Sequence, residues 1–229
     1  MSFIVLEGLD GSGKSTQVKL IREYFDNKNI KYKYLHFPQT NSPVFGELVS
    51  MFLRGDLGEN NMVSPYLVAL IYAGDRDNAK AMIQDWLNED YLILIDRYIY
   101  SNIAFQCAKI NDFNEKEKLK NWIINLEYKF YKIPKPNISI YLDVPFDFTK
   151  NNLSNVRDGY DRDYLKGKTD IHEKDIDFQE KVRQEYLKIF SSEKDCKIIE
   201  CYSPNNSMLK PDEVFNKISN LLRTYKLIN

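Results

Sequence analysis

"FIVLEGLDGSGKSTQ", residues 3–17, is the stretch whose reading decides the fold. The apolar run Phe3 to Leu6, stopped at Gly8, reads as a short buried strand. From Lys14 onward the period changes, and Val18, Ile21 and Phe25 fall on one helical face. Between strand and helix lies Gly8-x4-Gly13-Lys14-Ser15, a complete P-loop pattern in the context it requires. Gly11 and Gly13 let the backbone curl so that several N–H groups meet one anion, and the helix adds the positive end of its dipole. Lys14 can reach the outer phosphates, and the Ser15 hydroxyl suits Mg2+. ATPases, GTPases and small-molecule kinases all use such a loop, so the loop alone leaves the destination of the phosphate open.

The rest of the chain alternates in the same way. "KYKYLHF" (31–37), "YLILID" (91–96), "NISIYLDV" (137–144) and "CKIIEC" (196–201) read as four further strands. Helices are predicted over Ser42–Gly55, with Ser42 as N-cap and Pro43 in the first turn, and over Ser64–Glu89, with Ser64 and Pro65 in the same places. Others are predicted near 98–109, 115–131, 146–155, 175–192 and 211–226. Strands alternating with helices imply right-handed crossovers and an α/β fold: three α/β/α layers around a five-stranded parallel sheet. The 229 residues suit a single domain, with no internal repeat or low-complexity linker.

Composition narrows the function. The net charge is −1, from 32 basic and 33 acidic residues, which disfavours a nucleic-acid polymer as partner. No apolar run approaches the roughly 20 residues of a membrane span. The first strand begins at residue 3, so no signal peptide is expected and the location is read as cytoplasmic. Cys107, Cys196 and Cys201 are scattered and odd in number, and read as buried free thiols.

Three further features can carry chemistry. Asp96 closes the "YLILID" strand, at the sheet edge where Gly8 also lies; a carboxylate there can hold Mg2+, or it can cap the helix that follows. Arg97 brings to the same edge a fork of donors matched to a phosphate. Tyr72 and Arg76, four residues apart in "YAGDRDNAK", share a helix face. They read either as a sandwich for a planar base or as a core tyrosine beside a surface arginine. "RDGYDRDYLKGKTD" (157–170) reads either as a solvated loop or as a mobile lid that brings a cation onto a transferring phosphoryl group.

Together these segments resemble the thymidylate kinase family, over nearly the whole chain. "EGLDGSGKSTQ" is similar to its P-loop, "HFPQTNSPVFGELVSMFL" to its Phe-Pro segment, and "LIYAGDR" to the segment that holds the base. "IDRYIYSNIAFQ" is the most specific match, and "DIHEKDIDFQEKVRQEYLKI" resembles the helix after the lid. The resemblance implies phosphoryl transfer from Mg-ATP to dTMP, giving dTDP and ADP. ATP would bind Gly8, Asp10, Gly11, Ser12, Gly13, Lys14, Ser15 and Thr16, with Ser15 and Asp96 serving Mg2+. On the acceptor side, Phe37 and Pro38 border the site and Tyr72 stacks on thymine. Arg76 and Asn102 bond its edge, Phe105 lines the sugar pocket, Ser101 is a further substrate contact, and His172 stands near the sugar 2′ position. Asp10 faces the acceptor, and Arg97 grips its phosphate. Gly11 occupies a position where some relatives carry an arginine. The catalytic cation is therefore expected from a bacterial-type lid at about 157–173, with Arg157 and Arg162 as candidates. A homodimer packed through helices is also implied. Two readings compete: another kinase of the fold, acting on a deoxynucleoside or a different monophosphate, and a P-loop regulatory protein with little chemistry.

Overall fold

The computed structural model describes residues 2–154 and 160–228, with backbone only for 160–162. Five strands, β1 (Phe3–Glu7), β2 (Tyr32–His36), β3 (Leu92–Asp96), β4 (Ile138–Asp143) and β5 (Cys196–Glu200), form one parallel sheet in the order β2-β3-β1-β4-β5. The three central strands, β3, β1 and β4, are buried at every position, which is why they read as mostly apolar runs, each ending in a carboxylate.

Alternate residues of these strands feed two cores. Phe3, Val5, Ile93 and Ile95 pack on one face with α3 (Pro65–Asn88), α4 (Ile99–Cys107), α5 (Phe113–Ile124) and α7 (Ile176–Ser192), through Ile83, Ile103, Leu119 and Tyr186. Ile4, Leu6, Leu94 and Ile140 pack on the other with α1 (Lys14–Asn27) and α8 (Pro211–Thr224), through Val18, Phe25 and Ile218. The expected three layers follow from that alternation. A third cluster, Val49, Phe52, Leu53, Val68 and Ile171, seats α2 (Phe45–Leu53) on α3. The remaining helix, α6 (Phe146–Ser154), follows β4. Cys107, Cys196 and Cys201 are free and buried. Among the described residues no helix is long and apolar enough to cross a membrane.

One helix start differs from its sequence reading. Ser42 does not cap α2 and Pro43 does not open it; the helix begins at Phe45. Val44 takes φ 63° and ψ −73°, and the Phe45 N–H bonds the Pro43 carbonyl at 2.8 Å, a three-residue turn. The reason lies in α3. Buried Asp75 accepts from the Gln39 N–H at 2.8 Å and from Ser42 Oγ at 2.9 Å, so the capping hydroxyl is diverted to a stronger acceptor. The same pair of bonds ties the segment after β2, which includes Phe37 and Pro38, against α3.

Candidate active site

The site is built at the carboxyl ends of β1 and β3. After β1, Gly11 and Gly13 take φ of 75° and 83°, left-handed conformations that other residues adopt only with strain. Gly13 is the residue at the cap of α1, so the first free N–H groups of that helix open onto the loop. Gly8 is needed for a different reason: a Cβ there would stand 2.7 Å from Ser12 Oγ. Lys14 folds back over the loop, with Nζ donating to the Leu9 carbonyl at 3.0 Å. Burial, with the nearby Arg97 guanidinium, pushes its ammonium down to about 8.

At the end of β3, Arg97 also has a positive φ, 67°, while its N–H bonds the Leu6 carbonyl at 2.9 Å. This turn carries the guanidinium toward the P-loop. Nη2 donates to Asp10 at 2.6 Å, and Nη1 to Ser101 Oγ at 3.1 Å and Tyr186 OH at 3.5 Å. The group lies 5.3 Å from the Phe105 ring centre. Burial works against the Asp10 carboxylate, but Arg97 and Lys14 outweigh it and hold Asp10 well below the usual range. Gln179 Nε2 also donates to it, at 3.2 Å.

The alternative reading of Asp96, as a helix cap, does not hold. The start of α4 is capped from β1: Glu7 accepts from the N–H groups of Tyr98 at 2.9 Å and Ser101 at 3.3 Å. Its other oxygen takes the Ser101 hydroxyl at 2.5 Å and the Tyr186 hydroxyl at 3.0 Å. Burial pushes the Glu7 carboxyl up despite these bonds. Asp96 is thereby left to the cleft. Its Oδ2 pairs with His36 Nδ1 at 3.2 Å, and its Oδ1 is buried with no partner among the described residues. An open carboxylate oxygen beside a P-loop, with the exposed Ser15 hydroxyl on the same cleft, fits a hydrated Mg2+. No cluster of three or more metal-binding side chains occurs among the described residues, so such an ion would draw its other ligands from phosphates and water.

The far end of the cleft is made by α3 and α4. Tyr72 is half-buried, and Arg76 is not a surface arginine: it is 2% exposed and lies 6.0 Å from the Phe37 ring centre. Its partner is Glu127, which also accepts from Asn102 Nδ2 at 3.1 Å. Gln106, one turn beyond Asn102, is fully buried, lines the cleft, and has neither amide atom bonded among the described residues. Glu7, Gln106, Tyr186 and Glu127 belong to the site beyond the residues expected from the sequence. A signal existed for Glu127, which continues the buried stripe of Leu119 and Ile123 at helical spacing, where a carboxylate is out of place.

The segment foreseen as a lid is only partly visible here. Arg157 lies outside the described residues, as does the side chain of Arg162. A 3-10 turn covers Tyr160–Leu165, after which the Ile171 N–H bonds the Leu53 carbonyl at 2.9 Å and Arg54 Nη1 bonds the Tyr164 carbonyl at 2.7 Å. His172 is buried against Phe52, Phe105 and Phe178, with ring centres 4.8–5.4 Å apart. Burial, with Lys109 nearby, drives its imidazole down to about 3, so it is neutral at pH 7. Asp170 accepts from the His172 N–H at 2.8 Å and from Tyr164 OH at 3.0 Å. Burial, with the charges of Asp10 and Glu173, raises its carboxyl to about 7. The folded state thus holds a proton that the unfolded chain releases near pH 4. Stability from this group is complete below pH 4 and is lost as pH rises toward 7. Asp170→Asn should therefore gain on the parent by roughly 1.4 kcal/mol per pH unit across that window and by no more above it. Urea melts of both proteins from pH 4 to 8 check this; parallel curves would overturn it.

The described residues foreseen from the sequence, Gly8 apart, line one cleft of about 700 Å³. Asp10, Gly11, Ser12, Gly13, Lys14, Ser15 and Thr16 form its phosphate end, with Asp96 and Arg97 beside them. Phe37, Pro38, Tyr72, Arg76, Ser101, Asn102, Phe105 and His172 form the rest. Gly8 alone of the described candidates lies beneath the lining rather than in it. The cleft thus joins a phosphate cradle to a slot with a cation at its inner end, an arrangement for holding two phosphorylated molecules head to head.

Known proteins are similar to this chain over most of its length. The family model described as thymidylate kinase matches residues 6–210. A probable thymidylate kinase of Pyrococcus horikoshii is 32% identical over 203 residues, 88% of each chain. A thymidylate kinase of Plasmodium falciparum is 32% identical over 160 residues, 70% of each chain. A solved thymidylate kinase structure from Candida albicans superposes with a TM-score of 0.70 at 26% identity, covering 98% of this chain and 92% of that one. The match extends from β1 through the cleft-lining segments to the start of α8, and this chain belongs to the thymidylate kinase family of phosphotransferases.

Proposed function

We propose that the enzyme transfers the γ-phosphoryl group of Mg-ATP to dTMP, giving dTDP and ADP. The observation that carries this reading is the placement of Lys14 and Arg97 on one cleft, each within the other's electrostatic reach. The two cations serve two anions. Lys14 takes the outer phosphates of the donor, cradled by the N–H groups of Gly11 to Thr16. Arg97 takes the phosphate of the acceptor, with one edge of its fork held still by Asp10 and Ser101. Ser15 and Asp96 would hold Mg2+, which would supply positive charge to offset that of the phosphates. In-line transfer asks little covalent chemistry of the protein, so fixing both reactants and balancing their charge accounts for most of the catalysis.

Tyr72 and Phe105 would flank the thymine and sugar, while Arg76, Asn102 and Gln106 meet the base edge. His172, neutral and apolar in its packing, would sit against the sugar. The segment 157–173 would close over the phosphates as a lid, exclude water and supply Arg157 or Arg162 to the transferring group. A cytoplasmic homodimer fits this reading, because α3 leaves Leu67, Leu70 and Met82 exposed on one helix.

An ATP-coupled assay over a panel of nucleosides and monophosphates tests the proposal. dTMP should give the highest kcat/KM. Preference for thymidine, dCMP, dUMP or AMP would overturn it.

A further inference from the structure

Glu127 is fully buried, on the π-helical turn Asn125–Phe130 that extends α5. Such turns are rare and concentrate at functional sites. Its carboxylate grips Arg76 with both oxygens, Nε at 2.5 Å and Nη2 at 2.7 Å. A buried ion pair is weak evidence for stability, so its presence beside a ligand cleft calls for another explanation. The hydrogen bonds of Asn102 supply one. Asn102 Nδ2 lies 3.0 Å from the Ala69 carbonyl and 3.1 Å from Glu127 Oε1. Both are acceptors that cannot donate, so the NH2 must face them and the carbonyl Oδ1 must turn the other way. That Oδ1 is buried with no partner among the described residues, and Asn102 lines the cleft. On Arg76, Nε and Nη2 are committed to Glu127, while Nη1 makes no hydrogen bond among the described residues.

We propose that Glu127 is a positioning residue that sets base selectivity: it holds Arg76 by Nε and Nη2 and Asn102 by Nδ2, so that the cleft offers the donor Nη1 end of Arg76 and the carbonyl oxygen of Asn102. This rests on the reading that dTMP is the acceptor. A base with a carbonyl beside a ring N–H, as in thymine and uracil, meets that pair donor to acceptor and acceptor to donor. Cytosine presents an amino donor beside an unprotonated ring nitrogen, the reverse pattern, and is rejected by two unpaired buried groups. Glu127 itself touches no substrate.

Glu127→Gln tests this, because a neutral amide turns its NH2 toward a donor of Arg76 in either orientation, and in one of them toward Asn102 as well, and so breaks the commitment of these donors. Steady-state kinetics are measured for dTMP, dUMP and dCMP with the full-length enzyme. KM for dTMP should rise about tenfold with kcat and the KM for ATP within about threefold. The dTMP-to-dCMP ratio of kcat/KM should fall about tenfold or more, while the dTMP-to-dUMP ratio stays constant, since those two bases share the edge. Glu127→Asp keeps the charge and should fall between the parent and Glu127→Gln; it also serves as the test variant should Glu127→Gln fail to fold. An unchanged dTMP-to-dCMP ratio, or an equal loss for all three substrates with ATP affected as well, overturns the role of Glu127. A parent enzyme that does not prefer dTMP overturns the function proposed above instead.

Discussion

Arg97→Ala should lower kcat/KM for dTMP by about a thousandfold or more while leaving the KM for ATP within severalfold. The side chain is placed for one task. A left-handed φ of 67° aims it from the end of β3, and three bonds, to Asp10, Ser101 and Tyr186, fix its orientation. Nε–H and one Nη2 hydrogen remain without partners among the described residues, two donors for an incoming phosphate. Lysine has no such fork, so Arg97→Lys should recover only a small part of the loss. The fold should survive Arg97→Ala. Asp10 loses its ion pair, at a cost of about 1–3 kcal/mol, but its side chain keeps some exposure to water and the bond from Gln179. Circular dichroism melts and full kinetics on both variants check these statements. Parent-like turnover of dTMP by Arg97→Ala would remove this residue from the acceptor site.

The parts of this protein that could be read from its sequence are those specified locally. Gly8, Gly13, Lys14 and Ser15 declare a phosphate loop because their spacing is itself the structure, and the apolar runs of β1, β3 and β4 declare a sheet covered on both faces. Asp96 and Arg97 could be placed because a carboxyl-terminal strand end fixes where a side chain arrives. What stayed hidden was the set of carboxylates that hold those groups. Glu7 and Tyr186 are 179 residues apart, and Arg76 and Glu127 are 51 apart. Nothing in either local pattern announces its partner. The same blindness misplaced the start of α2. Ser42-Pro43 has the composition of a helix start, and only the buried Asp75, 33 residues away, explains why Ser42 bonds elsewhere. Spacing leaves Arg76 readable as a base contact or as a surface residue, because its helix face says nothing of the π turn packed on it.

Lys14→Ala should be the second variant with a large effect, and it should separate function from stability. Its kcat should fall about a thousandfold with a raised KM for ATP, since no other described side chain of the P-loop is cationic. Its melting temperature should nonetheless equal or exceed that of the parent. Lys14 is 8% exposed, its ammonium feels the charge of the Arg97 guanidinium, and among the described residues it has one hydrogen bond, to the Leu9 carbonyl. The depression of its pKa to about 8 expresses that discomfort. Because the folded pKa lies below the unfolded one, the residue detracts from stability at neutral pH and ceases to do so only at alkaline pH, once the unfolded chain is also neutral. The advantage of Lys14→Ala should therefore be largest at pH 7 and below, and should shrink as pH rises from 8 toward 10. In the parent, kcat/KM for ATP should decline above pH 8 as the free-enzyme ammonium loses its proton. Bound phosphates supply negative charge beside Lys14, so ATP should raise the melting temperature of the parent far more than that of the variant. Melting curves with and without ATP, over pH 6–10, decide the matter. A Lys14→Ala protein that is markedly less stable, or one that ATP protects as well as the parent, would show that this lysine belongs to the scaffold rather than to the phosphate site.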